Sequence, residues 1–446
     1  MSQEKVSHQS QAEPERRESD PLFYPLLGIL ALTLLSGLFL AIYYIPTFTQ
    51  AFPSVERLNE EVPFGWFVRR IHATGATFFF VVMLLSLLRS LYTGGYKINP
   101  RSTWTIGILL FLMGVIANLT GFFLPLSQSS FWGTVNVLSD LASIPWIGDF
   151  VANLLRGGKE LGGVALIRLY GAHIGVAVFM AFLFFEVYKT APKMEEWRSN
   201  FFSLVVTVGV ILAATTFLPY WFSDSLKEAA NPAVNPEHII PPWYFFFFEE
   251  ALRFFMGAYP FWSGLALLLS LVVLFTLPFV DRGPQRKLLL RPIILGLGAT
   301  SLVVFFYFSL LGVANARYGE KVILPAGSRS PSVVRGAQVF AQRNCAYCHQ
   351  AFGREGRREG PDISRMKDRH RSADWIRRYI LNARLYRPGT TMPRYEISLE
   401  DLEALSAYLL AFDSKNGRFE VVDRTELLDL GLYLYPRLEG QGEKSQ

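Results

Sequence analysis

Seven stretches of this 446-residue chain each reach the roughly 20 apolar residues that cross a bilayer, and little else about the sequence constrains its fold as strongly. They lie near residues 22–44, 72–93, 104–125, 164–188, 201–222, 261–280 and 292–313. A backbone in lipid finds no water for its N–H and C=O groups, so such stretches become helices. The composition agrees. Apolar residues make up 51% and charged residues 18%, against about 25% charged in a soluble domain. Residues 1–21 are polar and mixed in charge, and read as a disordered cytoplasmic tail. The connections that share its side carry 13 Lys and Arg in 61 positions, and the opposite set carries 7 in 103. That bias puts the N-terminus in the cytoplasm of a bacterial inner membrane, and seven crossings deliver everything after residue 313 to the periplasmic side. A net charge of +6 on such a chain gives no reason to expect a nucleic-acid partner.

After residue 316 the chain turns polar. Residues 317–330, with Pro325 and Gly327, read as a linker, 331–412 as a small soluble helical domain, and 413–446 as an extension with no legible chemistry. The only two cysteines of the chain stand in Cys345-Ala-Tyr-Cys348-His349. CxxCH is the attachment motif for a c-type heme: two thiols add to the vinyl groups and the adjacent His ligates iron. Half of a zinc site is the competing reading, but it needs further Cys or His at ligand spacing. A sixth ligand is expected at Met392, in the Pro- and Gly-framed loop Gly389-Thr-Thr-Met-Pro-Arg394, with Met366 as its competitor. An amphipathic helix at 334–342, the motif, the Met loop and a closing helix at 398–411 together resemble a class I cytochrome c.

Two histidines fall within the spans, His72 on the second and His173 on the fourth, each near the outer start of its helix. Matching depth on two helices running in the same direction suits a pair gripping one heme. Arg69 and Arg168 stand close enough to reach its propionates, ordinary interfacial snorkelling being the alternative.

Phe67-Val-Arg-Arg-Ile-His-Ala-Thr-Gly-Ala-Thr-Phe78, Trp104-Thr-Ile-Gly107, Gly121-Phe-Phe-Leu-Pro125, Ser130-Phe-Trp-Gly133, Ser143-Ile-Pro-Trp-Ile-Gly148 and Arg168-Leu-Tyr-Gly-Ala-His173 resemble, in order, the cytochrome b family of quinol:cytochrome c oxidoreductases. Pro236-Glu-His-Ile-Ile-Pro-Pro-Trp-Tyr244 is similar to the loop bordering that family's quinol oxidation site. The resemblance runs from about 22 to 313 and implies an all-α, seven-helix transmembrane bundle over 22–316 with a cytochrome c domain fused behind it. It also implies Trp243 and Tyr244 at a quinol site.

Two departures reshape the expected function. The family offers a second His fourteen residues beyond each of the first, about 21 Å along the same helix face; here those positions hold Ser86 and Val187. One heme b and one heme c are therefore expected, with the inner heme b lost and no complete Q-cycle. The family's Pro-Glu-Trp-Tyr reads Pro241-Pro242-Trp243-Tyr244, which removes a general base. Glu249 or Glu250, in an otherwise apolar run, stands in for it or pairs with Arg253. Glu186, beside the vacated position, marks a candidate proton or quinone site. Because Phe is abundant on these helices, side chains such as Phe184, Phe185 and Met83, with a lipid or quinone tail, are expected to fill the space. The expected function is electron exchange between membrane quinol or quinone and a c-type heme; a non-catalytic anchor and electron wire is the alternative. Expected partners are lipid, a Rieske iron–sulfur protein or other redox subunits, and a soluble or membrane-bound cytochrome c or oxidase, in a dimer or larger complex.

Overall fold

The computed structural model describes residues 20–142, 144, 146–158, 161–190, 197–218, 226, 228–232, 247, 250–251, 260–315, 321–325, 330–354, 360–369, 371–387, 390, 392–412 and 418–428. The membrane part is helical throughout. Its helices are α1 (Phe23–Tyr43), α2 (Ala51–Glu60), α3 (Gly65–Thr93), α4 (Gly95–Ile98), α5 (Arg101–Phe123), α6 (Gln128–Ala142), α7 (Gly148–Arg156), α8 (Gly163–Thr190), α9 (Trp197–Phe217), α10 (Pro260–Val280) and α11 (Pro292–Asn315). Among the described residues α1, α3, α5, α8, α9 and α11 are long and apolar enough to cross a membrane. With the 21-residue α10 they give the expected seven.

Burial follows the physics of a lipid solvent. Leu35, Leu38 and Ile42 on α1, and Val178, Phe182 and Phe185 on α8, face outward, whereas Thr74 and Thr77 on α3 are buried. Between helices it is small residues that permit approach. A Cβ on Gly75 would stand 2.3 Å from the Thr33 hydroxyl, so α3 crosses α1 through that glycine. At the opposite end of α3 from His72, a polar clamp joins α3 to α10 and α11. Asp281 accepts from Lys97 Nζ at 2.6 Å, Tyr96 OH at 2.5 Å and Arg291 at 3.1 Å, and Arg291 also donates to the Leu91 carbonyl at 2.9 Å. A buried guanidinium needs such partners.

The soluble part is built on α12 (Pro331–Gln342), α13 (Ala373–Leu381), α14 (Ala383–Tyr386) and α15 (Leu399–Ala411). Ser330 caps α12, accepting from the Val333 N–H at 3.4 Å, and Pro331 occupies its first turn. α12 crosses α15 at Gly336, where a Cβ would lie 2.1 Å from the Ala404 carbonyl oxygen. Among the described residues, two strands flank these helices. The stretch read as a linker contributes β1 (Lys321–Pro325), and the extension contributes β2 (Phe419–Asp423). They pair antiparallel, Val322 opposite Val422 and Leu324 opposite Glu420. Val322, Ile323 and Leu427 join the core around Phe340, Leu402, Tyr408 and Phe412. Tyr408, fully buried, donates its hydroxyl to the Ile323 carbonyl at 2.6 Å. The strands thus close the domain.

Candidate functional site

His72 lies about two turns into α3 and His173 in the third turn of α8, and their ring centroids are 6.1 Å apart. An imidazole–metal bond is about 2 Å, and a ring nitrogen stands about 1 Å from its ring centre. Two imidazoles on opposite sides of one metal therefore put their centroids about 6 Å apart, which this pair does. His72 Nδ1 lies 2.9 Å from the Thr33 carbonyl and 3.3 Å from the Ser36 hydroxyl. His173 Nδ1 lies 3.1 Å from the Ala117 carbonyl and 3.1 Å from the Thr120 hydroxyl. A carbonyl only accepts, so each Nδ1 carries the proton and each Nε2 keeps its lone pair for a metal.

The two anchors repeat one another: a carbonyl, a hydroxyl three residues on, and a glycine after that. On α1 these are Thr33, Ser36 and Gly37; on α5 they are Ala117, Thr120 and Gly121. A Cβ on Gly37 would stand 2.8 Å from His72 Cε1, and one on Gly121 would stand 2.9 Å from His173 Cε1. Each ring lies against a bare backbone. The sequence motifs included Gly121 but not Thr33, Ser36, Gly37, Ala117 or Thr120; a hydroxyl-glycine pair in mid-span on two helices was the available signal. The arginines divide. Arg168 is exposed and donates to the Leu154 carbonyl at the end of α7, while Arg69, near the start of α3, is partly buried.

In the soluble domain His349 repeats the device. Its Nδ1 donates to the Pro361 carbonyl at 2.9 Å, and a Cβ on Gly360 would fall 2.3 Å from its Cε1. Burial holds this imidazole below its ordinary pKa, and neutral is the form that binds iron. Burial also pushes the Cys345 thiol up to about 12, so it stands as the neutral thiol. Among the described residues no cluster of three or more His, Cys, Asp or Glu is placed to hold a metal ion. A porphyrin held through thioethers and one axial His fits this loop; zinc does not. Met392 and Met366 both pack, partly buried, against the domain core, so Met392 rests on its loop and spacing.

Ser86 and Val187 do line one cavity, of about 100 Å³, together with Met83, Phe184, Leu87, Phe23 and Leu26. Ligand pockets run roughly 300–1,000 Å³, so the side chains have closed most of the space. Phe23 of α1 stacks on Phe184 at 5.1 Å. Phe185, expected to help fill the site, is 56% exposed and points away. Glu186 pairs with Lys189 at 2.7 Å and does not line the cavity. The carboxylate that does is Asp20, placed in the disordered tail by the sequence reading. It accepts from the Ser86 hydroxyl and from the Leu22 N–H at 3.0 Å, and lies 3.8 Å from Arg89. Restoring histidines alone, as Ser86→His with Val187→His, is expected to add no second b-type signal in the reduced-minus-oxidised spectrum. A doubled b-type absorbance would show that the space reopens.

At the quinol-site positions, Glu250 is 5% exposed. Trp243, Tyr244, Glu249 and the rest of the 236–244 loop lie outside the described residues. On α6, Trp132 Nε1 and Asn136 Nδ2 are buried donors, one turn apart, that find no hydrogen-bond partner among the described residues.

Residues 23–191 match the family model described as cytochrome b/b6/petB, residues 229–327 that of cytochrome b (C-terminal)/b6/petD, and residues 333–413 that of cytochrome c. Among solved structures, a chain of a "Hyperthermophilic respiratory Complex III" is similar, with a TM-score of 0.57 and 24% identity over 67% of this chain and 85% of that one. At that identity the likeness concerns the fold.

Proposed function

We propose that this chain, which belongs to the cytochrome b family over residues 23–191 and 229–327 and carries a cytochrome c domain at 333–413, exchanges electrons between membrane quinol or quinone and a c-type heme through a single heme b. When bound, the two hemes supply one-electron steps. The observation that carries the reading is the matched pair of anchors at His72 and His173, each with Nδ1 committed to a carbonyl. In this reading Nε2 of His72 and His173 holds the membrane heme, with Arg69 and Arg168 at its rim. Cys345, Cys348, His349 and Met392 hold the other.

Quinol would sit against Trp243 and Tyr244, with Glu249 or Glu250 taking its proton. The Trp132 and Asn136 donors on α6, unpartnered among the described residues, favour a site that receives an oxygen acceptor. Ser86 and Val187 leave the path across the membrane without a second heme b, so the complete Q-cycle is lost. The wider setting is a bc-type respiratory assembly, as the Complex III likeness suggests. A Rieske protein or other redox subunit, an outer cytochrome c or oxidase, and a dimeric or larger state would complete it. A second, complete cytochrome b as a heterodimer partner is a further arrangement. The cytochrome c domain would lie on the periplasmic side of a bacterial membrane.

Pro242, in place of the family's carboxylate, favours a second reading: a non-catalytic anchor and electron wire for a partner enzyme. Adding quinol to the purified chain separates the two. Rapid, inhibitor-sensitive reduction of the b-type absorbance is expected. A b-type heme that dithionite reduces and quinol does not would favour the wire.

A further inference from the structure

We infer that Tyr347 pins the CxxCH loop to the end of the membrane bundle that holds the histidine pair, so that the c-type heme is a stationary neighbour of the His72–His173 site rather than cargo on a moving domain. This deepens the preceding reading and rests on its two hemes.

The loop divides its side chains between two cores. Cys345 and Ala346 pack with the soluble domain's own core, alongside Phe340 and Tyr408. Tyr347 and Cys348 pack instead with the membrane domain, in one cluster with Phe123, Leu126, Phe131, Trp132 and Leu166. Tyr347 is 3% exposed although it belongs to a single 3₁₀ turn, Cys345–Tyr347, at the surface of its own domain. Its burial comes from the bundle.

The place it reaches is specific. Phe123 ends α5 two residues beyond Gly121, the glycine under His173, a rise of about 3 Å. One packed cluster therefore includes both Tyr347 and the helix end that carries the glycine under His173. Cys345 and Cys348 would hold the c-type heme, so seating Cys348 on the bundle would keep that group at the membrane domain's surface. With both groups bound, His72 and His173 would hold one and Cys345, Cys348 and His349 the other. Together they would supply a one-electron exchange within one chain, with no bond made and no proton moved. Tyr347 is a positioning residue in this scheme. It sets the distance.

The test uses the full chain in lipid nanodiscs with both hemes loaded, as the native sequence, Tyr347→Phe and Tyr347→Ala. Pulsed electron paramagnetic resonance on the two ferric centres reads their separation. The native chain and Tyr347→Phe are expected to show one narrow, short distance. Tyr347→Ala, with both heme spectra intact, is expected to lose it. A narrow distance retained in Tyr347→Ala overturns the pin, and a broad distribution in the native chain overturns the stationary domain. If Tyr347→Ala fails to assemble heme c, the native distribution alone decides. No quinol is involved, so a dead quinol site leaves the result standing, whereas a missing b-type signal strikes the earlier reading instead.

Discussion

Replacing His72 with Ala is expected to abolish the b-type absorbance completely while leaving the c-type absorbance at its native level per chain. His72 and His173 face each other at 6.1 Å, and each fixes its proton on Nδ1 through a carbonyl of a neighbouring helix. Loss of one ring leaves a single axial nitrogen. It also leaves the Thr33 carbonyl and the bare surface of Gly37 facing a void that Ala cannot fill. No other His in the spans can substitute, because residues 72 and 173 are the only two there. The cytochrome c domain has its own core, closed by α12, α15 and the β1–β2 pair, and its His349 anchor lies wholly within residues 345–361. Optical spectra of membranes with matched protein content check this. If both signals vanish while the chain still inserts, the two parts do not fold independently.

The reciprocal effect is expected at Gly336→Ala: loss of most of the c-type heme, with the b-type spectrum retained. The added methyl would sit 2.1 Å from the Ala404 carbonyl oxygen and 2.6 Å from Tyr408 Cβ, and backbone cannot swing aside as a side chain does. Nor can α15 retreat easily. Tyr408 is fully buried and tied to Ile323 on β1, and Phe340 and Phe412 pack on its ring at 5.3 and 5.1 Å. Overpacking of this kind costs about 1–3 kcal/mol and occasionally more, a large part of what so small a domain has to lose. Heme-stained gels for covalent heme, alongside b-type absorbance, give the readout. Native c-type content and native thermal stability in the variant would mean that the α12–α15 crossing is looser than described.

These two sites were legible in the sequence to different depths. The seven spans showed because a bilayer demands length and apolarity, both of which are local properties. His72, His173 and the CxxCH loop stood out as candidate ligands because few residue types can ligate iron. The groups that hold those ligands were hidden, since Thr33, Ala117 and Pro361 act through main-chain carbonyls that any residue carries. β1 and β2 escaped for another reason. Each is five residues long, and they pair across about 100 residues of chain, so no local pattern announces them. Phe185 was placed by composition, yet one helical step is about 100°, and it is Phe184 that faces the cavity. Asp20 was lost by setting the tail boundary one residue past it, although it accepts from the Leu22 N–H at the start of α1 and from Ser86.

Ser86 and Val187 are where the chain departs most from the motifs of the family it belongs to, and counting hemes tests the proposed loss of the inner heme b most directly. A pyridine hemochrome assay on the purified, full-length chain separates b-type from c-type heme without reference to quinol chemistry. One b-type heme per c-type heme is the expected result, because Ser86 and Val187 offer no iron ligand and Met83, Phe23 and Phe184 have closed the space between them. A ratio near two b-type hemes to one c-type heme would contradict both the heme count and the loss of the Q-cycle.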